Sequence, residues 1–165
     1  IGWIGTPNTA RYLNVVRPAL KEFANQNTVK LILVGSGNIE IEGVDVEVRS
    51  WSEETEVSDI TDFDVGIMPL YDGPIERGKC GYKLIQYMAC GLPVVASPVG
   101  VNRQIVESNN GYLVDSTDEW VDALSTLRED PSLRMEMGWN GRHKVEENFC
   151  LEATAPKLLS ILQSL

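Results

Sequence analysis

Short apolar runs alternate with longer segments of helical spacing along this chain, and few folds satisfy that alternation. Ile1-Gly-Trp-Ile-Gly5, Val29–Val34, Asp64–Met68, Leu92–Ala96 and Gly111–Val114 read as buried strands. Val44–Val48 alternates in polarity, as a strand nearer an edge does. Tyr12, Val15, Val16, Ala19, Leu20 and Phe23 fall on one helical face, with Pro18 placed to bend or restart that helix. Ser52 is a candidate N-cap for a short helix with Glu53 and Glu54 in its first turn. A short helix is expected at Val101–Glu107, and longer ones at Thr117–Arg128, Pro131–Asn148 and Leu151–Leu165. The pattern predicts an α/β fold: a single Rossmann-like domain over residues 1–165, with a parallel sheet of about six strands and helices on both faces.

Such sheets bind ligands outside the carboxyl ends of their strands, near the point where strand order reverses. Gly5-Thr6, Gly35-Ser-Gly37, Arg49–Trp51 and Pro69–Lys83 all follow strands, so this rule directs attention to them. Leu33-Val-Gly-Ser-Gly-Asn38 begins like a dinucleotide fingerprint, but Glu40 stands where the third glycine belongs, and a plain tight turn explains it equally well. No Walker lysine motif follows any strand, which argues against an ATPase.

The stretch from Glu76 to Ser97 is more specific. It reads as a loop, a helix and a buried strand. Gly78 and Gly81 let the backbone approach a ligand. Lys79 and Lys83 bring cations to a helix start, where unpaired N–H groups already favour anions. Lys79, Lys83 and Gln86 have the spacing of one helical face, with Ile85, Met88 and Ala89 toward the core. Gly91 ends the helix. N–H groups, two cations and an amide together suit a phosphorylated ligand that carries hydroxyls, which describes a nucleotide sugar.

The formal charge of −10 argues against a nucleic-acid surface and makes Arg11, Arg77, Lys79 and Lys83 stand out. The three cysteines have no metal-type spacing and read as reduced thiols of a cytoplasmic protein. The single His143 lies in a charged helical stretch and has no chemical setting around it. No apolar run reaches the roughly 20 residues that span a bilayer. A start at Ile1, within a strand and without a signal peptide, reads as part of something longer.

The chain resembles the C-terminal domain of family 4 glycosyltransferases of the GT-B fold. The resemblance rests on Leu33-Val-Gly-Ser-Gly37, Asp64-Val-Gly-Ile-Met-Pro69, Lys83-Leu-Ile-Gln-Tyr-Met-Ala-Cys-Gly-Leu-Pro-Val-Val-Ala-Ser-Pro98, Gly100 with Asn102-Arg-Gln-Ile-Val106, and Asn110-Gly-Tyr-Leu-Val114. It implies a donor site for a nucleoside-diphosphate sugar, with no cofactor and no metal. The implied diphosphate contacts are Thr6, Arg11, Lys79, Gly81, Tyr82 and Lys83. Thr6 and Arg11 stand where the family carries an Arg and a Lys after the first strand. Gln86 holds the place of the family's ribose-binding glutamate, and on sequence alone a glutamate restored there would serve the same hydroxyls. Gly78 stands at the family's other glutamate, with Glu76 the nearby candidate for sugar binding. Arg49 and Trp51 are candidates for the base, although Trp51 suits packing under the next helix equally well.

The resemblance further implies a retaining transfer to an acceptor hydroxyl, in polysaccharide or glycoconjugate synthesis. The acceptor site would lie on an N-terminal domain absent from this chain. The whole protein would be cytoplasmic, with a peripheral position at the membrane face. Two other readings share the scaffold. One is a non-catalytic nucleotide-binding module; the other is a sugar-nucleotide epimerase or phosphorylase.

Overall fold

The computed structural model describes residues 1–164 and has a six-stranded, all-parallel sheet. The strands are β1 (Gly2–Ile4), β2 (Lys30–Val34), β3 (Asp45–Arg49), β4 (Gly66–Met68), β5 (Val94–Ala96) and β6 (Gly111–Leu113). Their spatial order is β3-β2-β1-β4-β5-β6, so the chain reverses direction across the sheet between β1 and β4. The helices are α1 (Leu13–Gln26), α2 (Glu56–Thr61), α3 (Pro74–Arg77), α4 (Tyr82–Ala89), α5 (Asn102–Ile105), α6 (Thr117–Glu129), α7 (Pro131–Asn148) and α8 (Leu151–Gln163).

Strand alternation divides the core into two layers. Trp3, Leu31, Leu33, Ile67 and Val95 face α1 and α6, where they meet Val16, Leu20, Phe23, Trp120 and Leu124. Ile4, Ile32, Val34, Met68, Val94 and Ala96 face the other side, against Ile60 of α2, Leu84, Tyr87 and Met88 of α4, and Ile105 of α5. α7 serves both layers, with Met137 in the first and Val145 in the second.

Local chemistry explains most element boundaries. α6 opens on a capping box: Ser116 Oγ accepts from Glu119 N–H, and the Glu119 carboxylate accepts from Ser116 N–H. α7 opens on Asp130, which accepts from Leu133 N–H, followed by Pro131 in the first turn. α1 runs without a break through Pro18, which faces solvent, so the expected restart does not occur. The short helix expected from Ser52 starts later, at Glu56; Ser52 Oγ instead accepts from Thr55 N–H in the preceding turn. Leu84 and Tyr87 lead the buried face of α4, whereas Ile85 and Ala89 are half-buried. α8 was expected to reach Leu165; Leu165 lies outside the described residues.

The β1–β4 junction has an unusual closure. These strands pair in register only at Gly2 and Gly66. Beyond that point the fully buried Tyr87 hydroxyl occupies the gap, accepting from Ile4 N–H at 3.0 Å and donating to Ile67 carbonyl at 3.3 Å. A side chain from α4 thereby satisfies two ladder groups that the diverging strands leave open.

Candidate nucleotide-sugar site

A cleft of about 610 Å³ opens above this junction, at the carboxyl ends of β1 and β4. Gly5 and Thr6 follow β1, Met68 and Leu70 end and follow β4, and Gly78–Lys83 form the opposite rim. Gly81 makes the rim possible. Its φ of 70° lies in the left-handed region, and a Cβ there would overlap Ile105 Cδ1. The turn at Gly81 starts α4 with no side-chain cap. Among the described residues, the N–H groups of Gly81, Tyr82 and Lys83 have no protein acceptor. All three residues line the cleft, and orphan donors at a helix start are groups that can accept an anion as partner.

Lys79 precedes α4, so it does not share a helical face with Lys83 and Gln86; the Gly81 turn, not helical spacing, brings the three together. The Lys83 ammonium lies 4.4 Å from the centre of the Trp3 ring. Burial, followed by the charge of Lys79, pulls its pKa down to about 8. Among the described residues it has no carboxylate partner. The Lys79 ammonium lies 5.1 Å from the centre of the Tyr12 ring.

Tyr12 connects the cleft to two further candidates. Its hydroxyl donates to Glu76 Oε1 at 2.6 Å, and Arg11 Nη2 donates to that hydroxyl at 3.2 Å. The Tyr12 hydroxyl chiefly, then the residue's own N–H, hold the buried Glu76 carboxyl below its ordinary range, with Arg11 and Lys79 adding to the effect. Glu76 and Arg11 therefore sit behind Tyr12 and do not line the cleft.

At the other end, Trp51 is half-exposed and forms a wall shared with an adjoining hollow of about 420 Å³. It does not pack under α2. Its indole N–H donates to Glu56 Oε2 at 2.6 Å, and Glu56 Oε1 accepts from Gln86 Nε2 at 2.7 Å. Arg49 borders the adjoining hollow, but its guanidinium is held by Glu47, Asp59 and Asp62 at 2.6–3.0 Å. Those carboxylates, Asp62 first, push its pKa above the ordinary value.

Seven predicted residues thus meet in one cleft: Thr6, Trp51, Lys79, Gly81, Tyr82, Lys83 and Gln86. Arg49 stands at its border, and Arg11 and Glu76 lie behind it. Glu56 and Tyr12 are the residues that sequence reasoning missed. Glu56 is masked by its closeness to Glu53 and Glu54, the acids read as helix-start charges, and Tyr12 by its place in an apolar periodicity.

Comparison with known proteins agrees with this architecture. Residues 1–130 match the family model described as "Glycosyl transferases group 1". The chain is 38% identical over 78 residues to a D-inositol 3-phosphate glycosyltransferase of Arthrobacter sp. (strain FB24), covering 46% of this chain and 17% of that protein. It is 34% identical over 96 residues to a GDP-mannose-dependent monoacylated alpha-(1-6)-phosphatidylinositol monomannoside mannosyltransferase of Corynebacterium glutamicum, covering 56% of this chain and 25% of the other. These alignments span a quarter or less of either relative. Among solved structures, Anabaena Alr3699/HepE in complex with UDP and glucose superposes with a TM-score of 0.79 at 20% identity, covering 99% of this chain and 48% of that one. That likeness establishes the shared fold. With most of its length matched by the family model, the chain belongs to the group 1 glycosyl transferases.

Proposed function

We propose that this chain is the nucleotide-sugar-binding domain of a retaining glycosyltransferase. The parent protein moves a sugar from a nucleoside-diphosphate sugar to an acceptor hydroxyl, in polysaccharide or glycoconjugate synthesis. The carrying observation is the convergence at the β1/β4 switch point of unpartnered α4 N–H groups with Lys79 and Lys83. The UDP and glucose bound in the HepE complex support this reading, as does the GDP-mannose dependence in the Corynebacterium relative's name.

Each group has a defined task in this reading. The N–H groups of Gly81, Tyr82 and Lys83 bind diphosphate oxygens, and the Lys83 ammonium meets the charge that grows on the departing diphosphate. Donors fixed before the reaction need no reorganisation as that charge develops. Lys79, over the Tyr12 ring, adds a second cation. Gln86 binds ribose hydroxyls, and Trp51 forms a wall for the base. The acceptor site and the remaining catalytic groups belong to an N-terminal domain of the same protein, acting at the cytoplasmic membrane face.

Thermal-shift measurements with UDP, GDP, ADP and their glucose or mannose conjugates test the reading. A nucleoside diphosphate that binds the folded state raises its melting temperature. Selective stabilisation by one nucleotide, lost on Lys83→Ala, is expected. No shift with any of them would overturn it.

A further inference from the structure

Glu56 lines the donor cleft with both carboxylate oxygens engaged, one by Trp51 and the other by Gln86. A carboxylate only accepts hydrogen bonds, so it must face the amide N–H₂ of Gln86 and leave the amide oxygen elsewhere. Among the described residues, Gln86 Oε1 has no donor. Gln86 itself lines the cleft, half-buried. The amide oxygen is therefore the group of Gln86 left to accept from a ligand hydroxyl, the role a carboxylate would play, although the charge sits on its hydrogen-bond partner Glu56 of α2. The other Glu56 oxygen fixes the indole N–H of Trp51, so one side chain sets both the acceptor and the aromatic wall.

We infer that Glu56 is a positioning residue for ribose selection: it locks Gln86 with its carbonyl toward the ligand hydroxyls and holds Trp51 upright beside them. The inference rests on the donor-site reading above. It changes the expectation for position 86. A glutamate placed there would confront the Glu56 carboxylate across the present 2.7 Å contact, and two like charges so close repel. Gln86→Glu alone should therefore impair binding. The exchange Glu56→Gln with Gln86→Glu should restore it. The new amide at position 56 can accept from Trp51 through its oxygen and donate to position 86 through its nitrogen, leaving a carboxylate oxygen for the ligand. Glu56→Gln alone cannot do both without turning the Gln86 amide around.

The test is calorimetry of UDP and 2′,3′-dideoxyuridine diphosphate on the wild type, the two single variants and the exchange, with GDP and ADP as controls. Thermal melts establish that each variant folds. The wild type should prefer UDP over the dideoxy analogue by roughly two- to tenfold, the worth of a neutral hydrogen bond. That preference should vanish in Glu56→Gln and in Gln86→Glu, and return in the exchange. Retained preference in Glu56→Gln, or an exchange no better than the worse single variant, would overturn the inference while leaving the donor site standing. Absence of binding of all three nucleotides to the wild type would instead overturn the donor-site reading.

Discussion

The Lys83 ammonium stands 4.4 Å over the Trp3 ring, inside a cleft where no carboxylate of the described residues pairs with it. A cation held this way waits for an anion, and its titration reports on the site. Burial and Lys79 set its pKa at about 8 in the folded chain, against roughly 10.4 when unfolded. Diphosphate affinity should fall as pH rises through about 8. Lys83→Arg, whose charge persists above pH 12, should flatten that profile. Calorimetry of UDP from pH 6.5 to 9.5 checks this; a flat wild-type profile would show that Lys83 does not meet the diphosphate.

The same shift acts on folding with the opposite sense. Between the two pKa values the unfolded chain binds more protons at Lys83 than the folded one, so this group makes the ligand-free fold more stable as pH rises from about 8 to about 10.4. Lys83→Met removes a buried cation and keeps the stem's contacts. It should raise the melting temperature at pH 7 while weakening UDP binding by more than tenfold, as loss of a charge-assisted contact implies. Melts of both proteins at pH 7 and pH 9.5 should differ most at pH 7.

Tyr87 offers a stability test that is separate from binding. Its hydroxyl satisfies Ile4 N–H and Ile67 carbonyl where β1 and β4 part. Tyr87→Phe leaves buried backbone groups unpaired, which costs about 1–3 kcal/mol. Urea unfolding should show a lower midpoint with an unchanged slope, because the surface exposed on unfolding stays the same. The variant should still bind UDP below its melting temperature.

Much of this was legible in the sequence because it rests on periodicity and punctuation. The strands were found within two residues of their observed limits, and α7 at its observed limits, since apolar spacing, Asp130-Pro131 and Gly91 each have a local cause. The four-residue α3 has no periodicity to reveal it. The candidate cleft was legible where glycine and charge gather at a helix start, at Gly81 and Lys83. It was not legible where partners lie far apart in the chain. Glu56 and Gln86 are 30 residues apart, and Tyr12 and Glu76 are 64 apart. Only the sheet order, which brings the ends of β1 and β4 together, makes Glu76 a support for Tyr12 beside the cleft.

That last contact yields a prediction about Glu76 itself. Its carboxylate is buried and accepts from Tyr12 at 2.6 Å, while the Tyr12 ring lies beneath Lys79. Glu76→Gln should disturb Tyr12 and Lys79 together, and Tyr12→Phe should have the same effect from the other side. Both variants should therefore weaken UDP and UDP-glucose by similar factors. The carboxyl's lowered pKa adds a pH signature. The stability it contributes is present above its ordinary range, near 4.3, and is lost as pH falls through the lower folded value. Glu76→Gln should flatten that acid limb of the stability curve. Calorimetry of the two ligands decides the role: equal losses assign Glu76 to Tyr12, whereas a loss confined to UDP-glucose would place its carboxylate on the sugar.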